Sequence, residues 1–159
     1  MKLVRRKYQC EDDYWAIRAF LRDAFLRNGR RECNWPVYRW DYWRWHVNEN
    51  IFRFSLEAAV FLWEASAGEL AAVLHPDGPG EAFLQTHPAR RSAELEVEMM
   101  AVAETQYATL QADGSQRLTL WAHEGDSLRQ DLLIRRGYPR GEHPEYQRRR
   151  SLAAPIPDF

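Results

Sequence analysis

The sequence has little cysteine, no excess of one charge and no long apolar run, and each absence excludes a class of protein. Its two cysteines, Cys10 and Cys33, form no C-x-x-C pair, which excludes zinc knuckles and redox motifs and favours a reduced compartment. The 22 basic and 23 acidic side chains give a formal charge of −1, so nothing electrostatic favours nucleic acid or an anionic membrane. No uncharged apolar run approaches the ~20 residues of a membrane span. We therefore expect a cytoplasmic protein whose partner is a small molecule or another protein.

The length bounds the domain organisation. A chain of 159 residues is long enough to build one domain around a single core. We assign residues 1–152 to this domain. Residues 153–159, AAPIPDF, are rich in proline and resemble a linker more than a folded end. Nothing in the sequence specifies a metal site.

The apolar pattern and the turn residues predict the element order β α α β β β α β α β. Strands are expected at 3–9, 54–65, 70–74, 81–87, 117–122 and 145–152, and helices at 12–27, within 34–48, at 92–110 and at 127–136. Hairpin-linked strands followed by strand-helix-strand units indicate an α/β (α+β) fold. We expect a mixed, mostly antiparallel sheet of about six strands with helices on both faces.

The start of the long helix carries charges of both signs. Residues 86–100 read THPARRSAELEVEMM, with Arg90 and Arg91 before the first turn and Glu94 and Glu96 inside it. A helix N-terminus attracts anions because its N–H groups are free and its end is partly positive. The arginines favour a bound phosphate, whereas the glutamates themselves stabilise the helix by about 0.3–1 kcal/mol each.

Two segments, together with the element order, make the chain resemble the GNAT superfamily of acyl-CoA-dependent N-acyltransferases. The first matches an apolar strand end, a proline and R/Q-x-x-G-x-G/A through Leu84, Thr86, His87, Pro88 and Arg91. The second, DSLRQDLLIRRGY, has the spacing of N-x-x-A-x-x-L-Y followed by Gly-aromatic, through Leu132, Gly137 and Tyr138. The resemblance implies an acetyl-CoA-dependent N-acetyltransferase fold, with a splayed gap between the fourth and fifth strands.

The resemblance also implies which residues face coenzyme A, and several of them depart from the family pattern. The cofactor-side positions are Leu84, Gln85, Thr86, Arg90, Arg91, Ser92, Ala93, Glu94, Leu95, Glu96 and Asp126. The two family glycines fall on Glu94 and Glu96, the usual Asn on Asp126 and the usual Ala on Arg129. The tyrosine that commonly protonates the leaving thiolate falls on Leu133.

These departures disfavour tight coenzyme binding. A carboxylate about 5 Å from a phosphate charge costs roughly 3 kcal/mol at an effective dielectric of about 20. We therefore expect a degenerate coenzyme site, resembling that of the amino-terminal half of a tandem GNAT protein. One alternative is a working enzyme that holds acetyl-CoA through the backbone of residues 84–86 and through Arg90 and Arg91. Another is a non-catalytic interaction module that uses the Trp-rich surface of residues 35–45.

The remaining candidates concern the catalytic groups, the acceptor wall and the partners. His123, after the fifth strand, and Glu81 are the candidate catalytic groups if they face an acceptor cavity. The resemblance places the aromatic residues Trp35, Tyr38, Trp40 and Trp43 on the acceptor wall, although core or interface packing explains them equally well. The expected partners are a small-molecule or peptide amine acceptor, a second GNAT domain, or a second copy of the chain.

Overall fold

A computed structural model describes residues 3–65, 68–142 and 144–145. Its helices are α1 Glu11–Arg27, α2 Val37–Tyr42, α3 Leu56–Ala59, α4 Ala93–Tyr107 and α5 Ser127–Arg135, and a π-helical segment, Trp43–Phe52, continues α2. Its strands are β1 Val4–Lys7, β2 Phe61–Glu64, β3 Leu70–Pro76, β4 Glu81–Thr86, β5 Thr109–Leu110, β6 Gln116–Arg117 and β7 Thr119–Leu120. The expected final strand lies outside the described residues from residue 146 onward.

The main sheet is mixed and mostly antiparallel, as expected. Its strand order is β1-β2-β3-β4-β7, and only β4 and β7 run parallel. Strands β5 and β6 form a separate hairpin. In the described part of the chain the main sheet has five strands, slightly fewer than the roughly six expected.

A gap opens between β4 and β7. The two strands pair only at Glu81 with Thr119 and at Ala82 with Leu120. Strand β4 then continues to Thr86 with β3 as its described strand partner on one side. This is the splayed gap that the resemblance implied between the fourth and fifth strands of the main sheet.

Strand β4 separates two cores because its side chains alternate between the faces of the sheet. Phe83 packs with residues of α1 and of the Trp-rich segment on one face. Ala82 and Leu84 pack with Leu95 and other residues of α4 on the opposite face. The helices therefore cover both faces, and the gap lies where these two layers meet.

Two sequence expectations about strands are wrong for local reasons. Residues 54–65 do not form one strand, because the Ser55 hydroxyl accepts a hydrogen bond from the N–H of Ala58 and begins the short helix α3. Residues 117–122 also form no continuous strand. Residues 116–117 pair with β5 while residues 119–120 pair with β4, so the chain changes partners at Leu118.

Candidate functional site

Two N–H donors in the first turn of α4, those of Glu94 and Leu95, are occupied by nearby side chains. The Ser92 hydroxyl accepts a hydrogen bond from the N–H of Leu95, at 3.2 Å. The Glu94 carboxylate is exposed, and its pKa is held below the ordinary value by hydrogen bonds from its own N–H and from Ser92. The anion that this helix end attracts is therefore supplied in part by the chain itself.

Glu96 lies at the other family glycine position, and its carboxylate is buried within an ion-pair network. Its side chain is 0% exposed. The Arg129 guanidinium donates two hydrogen bonds to it, each of 2.8 Å, from Nε and Nη2. Arg91 Nε donates a third, at 2.5 Å. The two parallel hydrogen bonds from Arg129 form a bidentate ion pair, which is among the strong arrangements of an arginine and a carboxylate.

Asp126 completes the network from the start of α5. Both of its carboxylate oxygens accept from Arg91 Nη2 at 2.7 Å, and Oδ1 also accepts from the N–H of Arg129, at 3.1 Å. Burial alone raises the pKa of Asp126, but these hydrogen bonds and the two guanidinium charges hold it below the ordinary value. Two carboxylates and two guanidiniums thus neutralise each other.

The network sits in the gap between the strands. The Arg129 side chain is almost fully buried, and its Nη2 lies 3.5 Å from Oγ1 of Thr86 on β4. Its Nη1 lies 3.5 Å from the carbonyl of Trp121, which follows β7. Arg129 therefore bridges the two strands where they diverge.

The open edge of β4 is also occupied by a side chain. The N–H of His87 donates to the carbonyl of Ala71 on β3, so the backbone groups of the preceding residue, Thr86, point towards the gap. There, Asn34 Nδ2 donates to the Thr86 carbonyl at 3.0 Å, and Asn34 Oδ1 accepts from the Thr86 N–H at 3.1 Å. The Asn34 amide thus forms the two hydrogen bonds that a peptide-like ligand would make with this edge.

A cleft of about 260 Å³ remains beside the network. It is lined by Asn28, Arg31, Cys33, Asn34, Thr86, Pro88, Arg91, His123, Gly125, Asp126, Ser127, Leu128 and Arg129. His123 is exposed here, and its Nδ1 accepts a hydrogen bond from the N–H of Gly125, at 3.0 Å. The cleft therefore contains one of the two candidate catalytic residues.

Glu81 lies elsewhere. It begins β4 on the same face as Phe83, next to Thr119 and away from the splayed end of the strand. Its carboxylate accepts a hydrogen bond from Trp121 Nε1, and burial, with the nearby charge of Asp77, raises its pKa. Glu81 does not line the cleft that contains His123, so the structure does not bring the two candidates together.

The aromatic residues expected on the acceptor wall are mostly core residues. Trp35, Trp40 and Trp43 are 4%, 0% and 1% exposed and pack against His75. Tyr38 is 69% exposed, and none of these four residues lines the cleft at the gap. The buried indoles fill this side of the sheet with protein, whereas Tyr38 lies on the surface.

The other expected cofactor-side residues are divided between the core and the surface. Leu84 and Leu95 are buried, and Ala93 packs against the same core. Gln85 faces the aromatic side, where it accepts from the N–H of Trp35 at 2.8 Å and contacts His75 Nε2 at 3.0 Å. Arg90 pairs with Glu69, between β2 and β3. Arg91 is therefore the expected arginine that lies in the gap.

Two residues that shape the site were not among the expected site residues. Arg129 was identified only as a replacement of the family alanine, although its charge is opposite to that of Glu96, and this pair of departures was the available signal. Asn34 lies in the loop between α1 and α2, 52 residues from Thr86, and no local pattern links the two.

The fold is that of GCN5-related N-acetyltransferases. The crystal structure of a GCN5-related N-acetyltransferase from Sphaerobacter thermophilus matches with a TM-score of 0.61 and 16% identity, over 85% of this chain and 42% of that one. A putative acetyltransferase from Exiguobacterium sp. 255-15 gives a TM-score of 0.47 and 16% identity, over 83% and 84% of the two chains. A probable acetyltransferase gives 0.43 and 15%, over the full length of both.

The chain thus has the GNAT fold, as its two segments and element order implied, and it spans less than half of the Sphaerobacter chain. Neither the family models nor the curated proteins contain a sequence match. Among the described residues, no helix combines the length and apolarity needed to cross a membrane. The same residues contain no cluster of three His, Cys, Asp or Glu side chains suited to a metal ion.

Proposed function

We propose that this chain is an acetyltransferase-like GNAT domain whose coenzyme site is closed by its own side chains, and that it does not catalyse acyl transfer. The observation that carries the proposal is the position of Glu96. Its carboxylate is fully buried at a former glycine position and is held by Arg91 and Arg129. An arginine that would otherwise bind a phosphate is thus already paired with a carboxylate.

The energetics support weak or absent coenzyme binding. A pyrophosphate that takes Arg91 and Arg129 from Glu96 leaves a buried carboxylate without partners, at a cost of about 3–5 kcal/mol. That cost corresponds to about two to four decades of affinity. The pantetheine arm must also replace the Asn34 amide at the edge of Thr86. Acetyl-CoA would therefore bind only after two sets of internal hydrogen bonds are broken.

No proton donor for the leaving thiolate stands at the position where the family has a tyrosine. Leu133 stands at the position of the family tyrosine and packs against the core formed with α4. An alkyl side chain cannot protonate a leaving thiolate. His123 is exposed and Glu81 does not line its cleft, so the two do not form an acid and base pair.

A non-catalytic domain of this kind acts by binding. Its proposed partners are an amine acceptor, a second GNAT domain or a second copy of the chain, in the cytoplasm. A related candidate is an interaction module centred on the aromatic segment. It is favoured by the exposure of Tyr38, Tyr42 and Trp45, which are 69%, 58% and 50% exposed. The buried tryptophans of the same segment anchor it to the core of the domain.

Calorimetric titration of acetyl-CoA into the purified protein tests the proposal. We expect no heat of binding up to millimolar ligand at moderate salt, since the internal ion pairs occupy the cradle. A dissociation constant in the low micromolar range would overturn the closed-site proposal and favour the working enzyme. Coenzyme A without the acetyl group serves as the matched ligand, because it makes the same phosphate contacts.

A further inference from the structure

Four aromatic residues form an exposed patch on α1, α2 and the π-helical segment. Trp15, Tyr38, Tyr42 and Trp45, which we call the aromatic patch, are each at least 50% exposed. Tyr38, Tyr42 and Trp45 follow one another at spacings of four and three residues, so they share one side of their helix. Trp15 lies beside them, because the buried ring of Tyr14 contacts both Trp15 and Trp45, at 5.0 and 5.5 Å between ring centres. The four residues thus belong to one surface.

The area of the aromatic patch is large enough for a protein interface. An aromatic side chain buries about 150–250 Å² when it is fully covered, so four that are about half exposed still offer roughly 400 Å². An exposed apolar patch of several hundred Å² is typical of a protein–protein contact. It is also about half of the ~800 Å² that each partner buries in a standard interface. The helix surface around the rings would supply the remainder.

The charges that touch the rings are balanced within the chain. Arg18 lies 5.0 Å from the centre of the Trp15 ring and pairs with Asp41 at 2.8 Å. Arg44 lies 4.3 Å from the centre of the Trp45 ring and pairs with Glu49. An acidic partner would therefore find no excess of positive charge beside the rings. This balance favours an aromatic partner surface without net charge, and a second copy of the patch is such a surface.

A cleft of about 150 Å³ lies at the Trp45 end of the aromatic patch. It is lined by Tyr8, Cys10, Glu11, Tyr14, Arg44, Trp45, Leu56 and Glu57. Tyr8, Tyr14 and Trp45 give it aromatic walls, and a space of this size holds a benzene-sized ring. The carboxylates of Glu11 and Glu57 can accept a hydrogen bond from a hydroxyl group. A phenol therefore matches both the walls and the polar groups of this cleft.

The aromatic patch also carries a phenol that projects from the surface. Tyr38 is 69% exposed, the largest exposed fraction of the four residues. It lies about 10 Å along the helix from Trp45, seven residues further on. One surface thus presents both a projecting side chain and a recess that fits it. A two-fold axis makes such a surface its own partner, because the projecting side chain of each copy meets the recess of the other.

We propose that two copies of the chain associate through the aromatic patch about a two-fold axis, and that Tyr38 of each copy occupies the cleft beside Trp45 of the other. The two α2 helices then cross antiparallel, with both Tyr42 side chains near the axis. The proposed dimer gives the aromatic segment its partner and therefore rests on the proposed interaction role of that segment. It does not require the coenzyme site to be closed.

Sedimentation equilibrium of the full chain measures this association. The area of the patch predicts a weak dimer, so the weight-average mass should rise from monomer towards dimer between about 1 μM and about 1 mM protein. Tyr38→Ala should raise the dimer dissociation constant about ten-fold or more, because an aromatic side chain that fills a recess carries much of the binding energy. Ile134→Ala shortens an apolar side chain that is 70% exposed on α5 and should leave the constant unchanged. Urea unfolding of dilute, monomeric protein checks that both variants fold.

The two cysteines show where the copies meet. Cys10 lines the cleft beside Trp45 and is exposed, whereas Cys33 lines the cleft at the gap. We would measure iodoacetamide alkylation of each cysteine by peptide mass spectrometry, below and above the dissociation constant. The Cys10 rate should fall about three-fold or more as mass action fills the cleft, while the Cys33 rate stays the same. In Tyr38→Ala at the same concentrations, the Cys10 rate should not fall.

Each outcome decides the proposal. Association that Tyr38→Ala weakens and Ile134→Ala does not, together with selective protection of Cys10, supports it. A chain that stays monomeric across this range overturns it, and so does a dimer that leaves Cys10 unprotected. Equal effects of the two variants also overturn it, because the interface is then not confined to the aromatic patch. The acetyl-CoA titration decides the closed coenzyme site separately, so failure of the dimer and failure of the closed site are distinguishable.

Discussion

The gap along the edge of β4 and the aromatic face of the same strand are both filled by the protein's own side chains, but by different kinds of group. In the gap, Glu96 and Arg129 form a buried ion pair and Asn34 binds the strand edge. On the aromatic side, Trp40 and Trp43 occupy the space with apolar volume. Removing a compensated ion pair leaves no unpaired charge and a space with polar walls that water can fill, whereas removing a buried indole leaves an apolar cavity. The gap is therefore the region where the proposed closure is the more easily tested by substitution.

The largest expected effect comes from the aromatic side. Trp40→Ala removes a fully buried indole and should lower the free energy of unfolding by about 3–5 kcal/mol, through lost burial and the cavity that remains. Tyr38→Ala, on the exposed face of the same helix, should change it by no more than about 0.5 kcal/mol. Urea unfolding of both variants measures the difference. Similar losses at the two positions would contradict the assignment of core and surface.

Substitutions of the ion pair in the gap should lower the free energy of unfolding strongly, and the losses from the two single variants should not add. Glu96→Ala leaves two guanidiniums without this carboxylate and should cost about 3 kcal/mol, and Arg129→Ala should cost a similar amount. The double variant should cost clearly less than the sum, because no unpaired buried charge remains between them. Urea unfolding of the four proteins gives the coupling energy. Strict additivity would mean that the two side chains do not compensate each other.

His75 gives the aromatic side a pH dependence. Burial lowers the pKa of His75 to about 3, below the ordinary 6.5. Between these values the unfolded chain binds the extra proton, so the stability due to this group falls as the pH is lowered from about 6.5 towards 3. The slope should approach about 1.4 kcal/mol per pH unit. Urea unfolding of the native protein and of His75→Gln, measured across this pH range, isolates the contribution of His75 to the free energy of unfolding. If the two proteins lose stability in parallel as the pH falls, His75 does not cause the pH dependence.

The smallest expected effect concerns the strand edge in the gap. Asn34→Ala leaves the gap-side N–H and carbonyl of Thr86 without this partner and should cost about 1 kcal/mol. The Thr86 amide should also exchange its hydrogen faster, which nuclear magnetic resonance detects at single residues. Asn28→Ala, in the lining of the same cleft, is the matched control. Unchanged exchange at Thr86 would show that the Asn34 amide does not protect this edge.

The elements with strong local patterns could be predicted from the sequence, and so could the fold. Helix α1 begins at three acidic residues and ends before Asn28 and Gly29, and the structure differs from the prediction by one residue at its start. The splayed gap was predicted from the family resemblance. The break at Ser55 could not be, because the alternative to a strand there depends on one hydroxyl and on its capping geometry.

The charged residues of the gap could be predicted from the sequence, but the ion pairs that they form could not. The replacement of glycine by Glu96 and of alanine by Arg129 was visible along the chain, whereas their contact depends on how α4 and α5 meet. Glu94 and Glu96 were equivalent in the sequence, yet the structure exposes the first and buries the second. The density of aromatic residues in the Trp-rich segment was similarly visible in the sequence. Which of them are buried, such as Trp40, and which are exposed, such as Tyr42, depends on packing.

The most direct test of the central claim restores the family pattern at the gap. The double variant Glu96→Gly with Arg129→Ala removes the buried pair and leaves Asp126 as the described carboxylate that still accepts from Arg91. If the ion pair closes the site, calorimetry will detect acetyl-CoA binding to the double variant with a dissociation constant at least ten-fold below the millimolar limit expected for the native protein. The variant Glu94→Gly, at the exposed former glycine position, should show a much smaller increase in affinity. An equal gain from Glu94→Gly, or no gain from a folded double variant, would contradict the account.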